Sequence, residues 1–259
     1  MEPANETPKQ QPDLQLGKAT AQFDRRSLKF ASLLKSAMLL PDTYDFDAAH
    51  PDVLIPTPMF ANDVHGDCVI AGRAHQTIRF ELLEQDRIIE ITDGDVTNEY
   101  FRETGGNNID HGLVVLDSLK EWRSSGWQVG DDSYSISAFA EINYANSEEF
   151  KQAVYSDVGL GLGLQLPLSA KQQFFNKQPW QVSQGPDTAV GSWGGHYVHI
   201  CGYTPEGPVC VTWGRKQPMT WDWMAKYADE AYAIFDANNN FKKNIVDTLK
   251  LQAFIETLQ

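Results

Sequence analysis

Cys68 is the residue of this sequence best placed to act as a nucleophile, because it opens a predicted helix directly after Gly66 and Asp67. The positive end of a helix macrodipole lowers the pKa of a thiol and favours the reactive thiolate. Gly66 also lets a backbone or a substrate approach closely. The alternative is a buried structural cysteine, since cysteine is among the most buried residue types. Cys201 and Cys210 lie among apolar strand residues, so we assign both to the core.

A reactive thiol needs a base, and His196 is the best candidate among the 6 histidines. It follows a glycine turn and opens a predicted strand, which would direct it into a cleft. His75 shares a helix face with Cys68 but lies about 10 Å further along, too far for a hydrogen bond, so we interpret it as a satisfied core histidine. His65 falls in a loop, and His199 faces the other side of its strand.

The elements that must position these residues change in type along the chain. Residues 1 to about 22 are polar and aperiodic, which predicts a disordered arm. The helical spacing of apolar residues then predicts helices at 26–39, 67–86 (with Asp67 as N-cap), 94–103 and 112–125. Alternating residues later predict strands at 133–142, 158–166, 196–204, 208–213 and 230–236, with helices at 147–155, 220–228 and 241–258. Such an order is typical of a two-lobed α+β protein with a site between its lobes.

The residues around the candidate pair resemble the papain-like cysteine peptidases. That family has a reactive Cys at the start of a long helix and a distant His in the pattern H-x-V-x-x-x-G-Y. This sequence has His196, Val198, Gly202 and Tyr203 at those spacings. The separation of 128 residues between Cys68 and His196 lies just below the roughly 130 to 150 residues found in the family.

Further motifs follow in the order of the family. Residues 40–46 resemble the start of the mature peptidase, and 110–112 resemble its glycine-bearing substrate strand. Residues 212–214 resemble the end of its N-S-W-G motif. Asn62, six residues before Cys68, takes the place of the Gln that stabilises the oxyanion, and its carboxamide can donate the same hydrogen bond.

The resemblance implies an α+β papain-like two-lobe fold, with a helical N-terminal lobe, an antiparallel β-barrel-like C-terminal lobe and the active site in the cleft between them. It implies a thiol hydrolase that cleaves peptide or isopeptide bonds of a peptide or protein substrate. The catalytic residues implied are Cys68, His196, Asn62 and Thr212, and the substrate-binding residues implied are Gly66, Gly112, Gly195 and Trp213. The regions expected are an arm with a short helix at 1–39, which is a candidate pro-region, a papain-like domain at 40–237 and a helical extension at 238–259.

Three positions depart from the family pattern. Val69 replaces the aromatic residue after the reactive Cys, and Leu113 replaces a second substrate-strand glycine. Val211 stands where the family has the Asn that orients the histidine, with Thr212 as the nearest polar substitute and Asp222 as a remoter one. The alternative function is therefore an inactive papain-like scaffold used for binding or assembly.

Composition and charge limit the remaining function classes. The net charge is −14 and the pI is about 4.7, so neither nucleic acid nor an anionic membrane surface is expected as a partner. No signal peptide and no membrane-spanning run is evident, and three cysteines do not suggest a disulfide framework, so a reducing, cytoplasmic location is expected. No metal-ligand spacing or cofactor motif occurs, so no cofactor and no metal is expected. Nothing in the sequence sets an oligomeric state.

Overall fold

Helix α1 (Cys68–Gln85) is the longest helix of the computed structural model, which describes residues 14–35, 39–106, 108–157, 159–237 and 245–258. The run is free of proline and contains a single glycine, Gly72, so helix formation is interrupted nowhere. The helix ends at Asp86, whose backbone is left-handed at a φ of 53°. A Cβ on Gly72 would lie 2.7 Å from the ring of Tyr197, so this glycine lets α1 pack closely against the central sheet.

The remaining helices are short and amphipathic, and each buries one face. They are α2 (Asp93–Glu103), α3 (Val115–Ser125), α4 (Ser147–Tyr155), α5 (Leu168–Phe175), α6 (Trp221–Tyr227) and α7 (Thr248–Glu256). Helix α2 begins with a capping box, in which the side chains of Thr92 and Asp95 each accept a hydrogen bond from the other residue's backbone N–H. Helix α3 ends before Gly126, as its sequence predicts.

Seven strands form one antiparallel sheet in the described part of the chain, and six of them lie in the second half of the sequence. Its strands are β1 (Tyr44–Asp45), β4 (Ile136–Glu141), β5 (Gly159–Leu166), β6 (Gly194–Tyr203), β7 (Pro208–Thr212), β8 (Arg215–Pro218) and β9 (Ala228–Asp236). The strand order is β4-β9-β5-β6-β7-β8, and β1 pairs with β6. Strands β2 (Trp127–Val129) and β3 (Asp132–Tyr134) form a separate two-stranded ribbon. Within the described residues the main sheet is open, with β4 and β8 at its edges, so it resembles a barrel only loosely.

Two hydrophobic cores lie on opposite faces of this sheet. The leucines of β5 pack into the core that also holds parts of α4, α5 and α6. The other core holds α1, α2 and α3, with Tyr197, Tyr232 and Phe139 supplied by the sheet. The predicted α+β architecture of a helical lobe and an antiparallel lobe is therefore confirmed.

The glycines of β5 admit large side chains from three different parts of the chain. A Cβ on Gly159 would overlap the amide of Gln76, and a Cβ on Gly161 would overlap the hydroxyl of Tyr197. A Cβ on Gly163 would overlap the side chain of Lys18. Alternation along β5 therefore separates a leucine face that fills a core from a glycine face that receives side chains.

The helix predicted at 26–39 is wrong. Only Phe30–Leu33 form a short 3-10 helix, while residues 36–38 lie outside the described part of the chain. Lys29 and Leu34 make isolated bridges to Glu141 and Val246 instead. The segment is thus largely extended and pairs with β4 and with residue 246, and tertiary pairing outweighs a helical pattern.

The disordered arm predicted for residues 1 to about 22 is also wrong over its described part. Residues 1–13 lie outside the described residues, but Leu14, Gly17 and Lys18 are buried. Among the other differences, α5 and β8 were not predicted, and only the second part of the predicted 241–258 helix is described, as α7. No helix among the described residues is long and apolar enough to cross a membrane.

Candidate active site

The packing of α1 against β6 brings Cys68 and His196 to the same small cavity. Cys68 is the first residue of α1, and His196 is the third residue of β6. Asn62, Thr212 and Trp213 line the same cavity. The structure therefore gathers all four predicted catalytic residues, which are separated by up to 150 positions in the sequence.

The imidazole of His196 is held through its Nε2 atom. This nitrogen lies 2.7 Å from the hydroxyl oxygen of Thr212. Pairing of His199 with Val211 across β6 and β7 puts Thr212 on the strand face that carries His196 and Val211 on the opposite one. The register therefore gives Thr212 the contact that the sequence pattern had assigned to position 211.

Asp222, the remoter alternative, serves a different element. Its Oδ1 accepts a hydrogen bond of 2.9 Å from the backbone N–H of Trp223 and another from the Thr220 hydroxyl. Both contacts lie at the start of α6. Asp222 therefore stabilises the start of α6 and is not the residue that holds His196.

Trp213 covers one face of the histidine ring. The two ring centroids are 4.0 Å apart and the planes are inclined by 12°, so the rings are stacked. Trp213 adopts a left-handed backbone with a φ of 43°, immediately before Gly214. Burial lowers the pKa of His196 to about 3, so the ring is neutral in this state. The structure thus places Trp213, predicted to bind substrate, against the imidazole.

The expected low pKa of Cys68 is wrong for this state of the protein. Only 1% of Cys68 is exposed. Burial raises the pKa of the thiol to about 12, although backbone hydrogen bonds from Tyr197 and Gly17 act in the opposite direction. Desolvation of a thiolate therefore exceeds the stabilisation that the helix N-terminus can supply.

The burial of Cys68 comes partly from the chain's own N-terminal segment, residues 14–19, which we call the cleft segment. Its backbone is hydrogen-bonded on both sides of the cleft. The N–H of Lys18 donates to the carbonyl of Gly195 at 3.1 Å, and the N–H of Leu113 donates to the carbonyl of Gly17 at 2.8 Å. The cleft segment therefore lies against the Cys68 sulfur and is held there by backbone hydrogen bonds.

The three glycines predicted to bind substrate all contact this segment. A Cβ on Gly66 would lie 3.1 Å from the carbonyl oxygen of Leu16, and Cβ atoms on Gly112 and Gly195 would overlap the carbonyls of Gly17 and Lys18. The absence of side chains at these positions lets a backbone pass within van der Waals contact. These three glycines therefore contact the chain's own backbone, and their binding of a substrate stays a prediction.

Asn62 and Asp67 are buried beside Cys68 and make few hydrogen bonds. The side-chain amide of Asn62 donates to the carbonyl of His65 at 3.0 Å. Asp67 precedes α1, but its carboxylate accepts no capping hydrogen bond, contrary to its predicted role as N-cap. Burial raises the pKa of Asp67 to about 8, so near neutral pH a large fraction of this carboxyl group is protonated.

Two features of the site were missed from the sequence. Lys18 is inserted between Asp229 and Glu230, which lie at the start of β9. The alternation of Leu14 and Leu16 in an otherwise polar region is the signal that points to an ordered segment. His75 also lines the cavity with Cys68. It is buried, but its Nδ1 makes no hydrogen bond within the described residues, whereas the sequence predicted a histidine with satisfied hydrogen bonds.

No protein-family model and no curated protein matches the sequence. Among solved structures, xylellain, a cysteine protease from Xylella fastidiosa, aligns with a TM-score of 0.64 over 88% of this chain and 98% of its own, at 14% identity. ProCathepsin B S9 from Trypanosoma congolense aligns with a TM-score of 0.58 over 86% of this chain and 87% of its own, at 11% identity.

The chain has the papain-like cysteine peptidase fold. A third structure agrees, since the Carica candamarcensis cysteine protease CMS1MS2, solved in complex with E-64, aligns with a TM-score of 0.55 at 10% identity. That alignment covers 78% of this chain and 100% of the other. Identities of 10–14% make this chain a divergent example of the papain-like fold, and its chemistry has to be argued from its own residues.

Proposed function

We propose that this protein is a cysteine peptidase, or a thiol hydrolase of isopeptide bonds, in which Cys68 is the nucleophile and His196 the general base. The observation that carries the proposal is the shared cavity at the start of α1 and β6, where Thr212 holds Nε2 of His196 at 2.7 Å. A nucleophile, a base and a group that orients the base are the parts that covalent acyl transfer requires.

The chemistry follows from the tautomer that this contact favours. When Nε2 carries the proton and donates it to the Thr212 hydroxyl, the lone pair of Nδ1 is available, and Nδ1 makes no hydrogen bond among the described residues. Nδ1 takes the thiol proton of Cys68 as sulfur attacks the substrate carbonyl carbon. The amide of Asn62 and the N–H of Cys68 stabilise the oxyanion. The Asn62 amide has two N–H donors, one of which is bonded to the carbonyl of His65.

The second half of the reaction uses the same proton. His196 donates it to the leaving amine as the carbon–nitrogen bond breaks, which leaves a thioester on Cys68. Water then attacks the thioester carbonyl, His196 accepts a proton from the water, and the carboxylic acid product leaves as the thiol re-forms. The result is hydrolysis of one peptide or isopeptide bond, with no redox step and no external cofactor in the sequence of steps.

The cleft segment gives this enzyme a closed state. It covers Cys68, whose thiol pKa is raised by burial, and it fills the space that a substrate backbone needs. Some of the similar solved structures are proforms, including the ragweed Amb a 11 protease and procathepsin L 3 of Tenebrio molitor. By analogy, residues 14–19 act as the masking part of a pro-region, which must leave the cleft before substrate binds.

A second candidate function is an inactive papain-like scaffold used for binding or assembly. It is favoured by Val211, which replaces the expected orienting amide, and by the Asn62 amide, which is directed at His65. In this case the cleft segment would be a permanent part of the fold. The two functions predict opposite behaviour of the Cys68 thiol once the segment is loosened.

The experiment that separates them is thiol labelling of the full chain with iodoacetamide and E-64 across pH, followed by peptide mapping. Lys18→Ala loosens the cleft segment, and His196→Ala in that background removes the base. The proposed function predicts rapid labelling of Cys68 in the first variant below about pH 7, lost in the second. Cys201 and Cys210, both buried, serve as internal controls. Labelling of Cys68 no faster than that of a free thiol in the loosened variant would favour the inactive scaffold.

A further inference from the structure

The Lys18 side chain occupies a buried acidic pocket that opens into the cleft. Its side chain is 0% exposed, and its Nζ lies 2.8 Å from an Asp229 oxygen and 3.0 Å from a Glu230 oxygen. The third polar contact of the ammonium group is the carbonyl of Ala19, at 3.1 Å. A lysine is almost never fully buried unless it is paired, so this pocket supplies what a cation needs away from water.

The pocket is built by residues of the sheet and not by the cleft segment. The amide of Gln165 on β5 donates to Asp229 at 2.8 Å, and the hydroxyl of Tyr232 donates to Glu230 at 3.2 Å. Gly163 forms its floor, where a Cβ would lie 2.6 Å from Cγ of Glu230 and would overlap Cε of Lys18. Both carboxylates are therefore positioned by neighbours that remain in place when the cleft segment leaves.

The charge of the pocket calls for a cation whenever it is not occupied by Lys18. Only 1% of the Glu230 side chain and 24% of the Asp229 side chain are exposed. Two adjacent carboxylates with so little hydration repel each other, and each loses solvation. Burial raises the pKa of Glu230, and the charge of Lys18 acts against this rise. A cationic side chain entering the cleft would relieve the same repulsion.

The pocket lies next to the reactive sulfur along the bound peptide. Gly17, which contacts Cys68, is followed directly by Lys18, whose backbone is bound by Gly195 and paired with Leu113. These backbone contacts are independent of side-chain identity, so any extended peptide can make them. The acidic pocket, in contrast, contacts the side chain and can distinguish a cationic side chain from a neutral one.

We propose that the pocket formed by Gly163, Gln165, Asp229 and Glu230 binds a lysine or arginine side chain of the substrate, within two residues of the bond that Cys68 attacks. This inference rests on the proposed function and gives it a substrate class: peptides or proteins with a basic residue at the cleavage site. Lys18 occupies the pocket in the closed state, so the cleft segment and the substrate compete for it.

The test uses full-length Lys18→Ala protein and sets of internally quenched peptides. Within a set, the peptides differ at one position, which is occupied by lysine, arginine, norleucine or glutamate. Four sets place this variable position at each of the two residues on either side of the cleaved bond. At one position we expect kcat/KM for lysine or arginine to exceed that for norleucine by at least about tenfold, because a charge-assisted pair is formed in a desolvated site. A norleucine peptide cleaved as well as the lysine peptide at every position would overturn the proposal.

Pocket variants in the same background identify the source of the preference. Asp229→Asn with Glu230→Gln should bring the lysine-to-norleucine ratio close to one. Gly163→Ala should lower cleavage of the lysine peptide, because its Cβ occupies the path of the side chain. Lys120→Ala, which removes a lysine on the surface of α3, is the matched control and should leave the ratio unchanged. An unaltered ratio in both pocket variants would contradict the assignment.

Failure of the proposed function can be told from failure of this inference. If no peptide is cleaved and Cys68 is not labelled, the peptidase function is wrong, and calorimetric binding of the lysine and norleucine peptides to the Lys18→Ala chain still tests the pocket. If peptides are cleaved without regard to charge, the function stands and the pocket assignment is wrong. Lys18→Met, which conserves volume without charge, replaces Lys18→Ala if circular dichroism shows that the alanine variant does not fold.

Discussion

The Thr212 hydroxyl lies 2.7 Å from Nε2 of His196, although the sequence pattern expects an asparagine one position earlier, at Val211. The pairing of β6 with β7 places the threonine on the histidine's face of the sheet. A hydroxyl can accept the N–H of the imidazole as an amide oxygen does. The orienting contact is therefore retained by a different residue, which makes Thr212 a positioning residue of the proposed enzyme.

Thr212→Val should impair catalysis with little change of shape. The imidazole would lose the Thr212 hydroxyl as the hydrogen-bond partner of Nε2 and, with it, the preference for the tautomer with a free Nδ1. We therefore expect kcat/KM to fall by at least about tenfold. Thr212→Ser keeps the hydroxyl and should restore most of the activity. The measurement is the pH profile of kcat/KM in the Lys18→Ala background, and a valine variant with an unchanged profile would remove Thr212 from this role.

Gly17→Ala should displace the cleft segment from Cys68. A Cβ at this position overlaps the Gly66 carbonyl, so the closed backbone path is blocked. Burial is the largest cause of the raised thiol pKa of about 12, so solvation should lower that pKa even though the Gly17 hydrogen bond and the nearby charge of Lys18, which favour the thiolate, are lost. Each unit of decrease raises the thiolate fraction about tenfold near neutral pH. Iodoacetamide labelling of Cys68 should accelerate accordingly.

The control for this experiment is Gly94→Ala. Its Cβ would lie 3.5 Å from the Thr92 hydroxyl, which is an ordinary contact, so the labelling rate should equal that of the unmodified chain. Equal rates for Gly17→Ala and the unmodified chain would show that the cleft segment does not limit access to Cys68.

Asn62→Ala tests the proposed oxyanion contact. Loss of one such donor lowers kcat by roughly 10² to 10³ while KM changes little, because the contact forms only with the tetrahedral intermediate. Asn62→Gln, which keeps the carboxamide, should retain more activity than the alanine variant. A fall that appears in KM alone, or equally in the two variants, would assign Asn62 a structural role through its hydrogen bond to His65.

Asp67→Asn should flatten the dependence of stability on pH. The pKa of Asp67 rises from 3.8 to about 8 on folding because of burial. Between these values the folded state holds a proton that the unfolded state has lost, so the free energy of unfolding falls as pH rises. The contribution of Asp67 to stability is fully present below about pH 4 and is lost as pH rises towards 8. The slope is at most about 1.4 kcal/mol per pH unit. Urea unfolding at several pH values measures the slope.

The asparagine variant has no ionisation at this position, so its free energy of unfolding should fall less steeply over the same interval. Asp117→Asn is the control, because its side chain is 60% exposed on α3 and its removal should leave the slope unchanged. Identical slopes for the Asp67→Asn variant and the unmodified chain would mean that the carboxyl group is ionised in the folded protein.

Most secondary structure was predictable because its signals are local. The alternation of leucine and glycine predicted β5, and apolar spacing with few interruptions predicted α1. The helix predicted at 26–39 was wrong for the opposite reason, because Lys29 and Leu34 pair with residues more than a hundred positions away. Apolar residues at helical spacing indicate that part of the segment is buried in the folded protein. The same spacing can also occur in an extended segment that is partly buried, so the pattern does not prove a helix.

For the candidate site, too, local signals were predictable from the sequence and long-range contacts were not. Cys68 and His196 were predicted from their local settings, the start of a helix and the start of a strand after glycines. The choice of Thr212 over Val211 and Asp222 needed the register of β7 against β6. Lys18 was assigned to a disordered arm, because its partners Asp229 and Glu230 lie about two hundred residues later and no local pattern links them.

The sequence by itself determined the order of the elements, the α+β class and the two reactive residue types at their starting positions. These follow from short-range spacing, where each residue's neighbours are known. Only the tertiary structure decided that Thr212 holds the histidine, that the cleft segment covers Cys68 and that burial raises the thiol's pKa. Those properties depend on strand register and on desolvation by distant residues, and both arise only when the whole chain is packed.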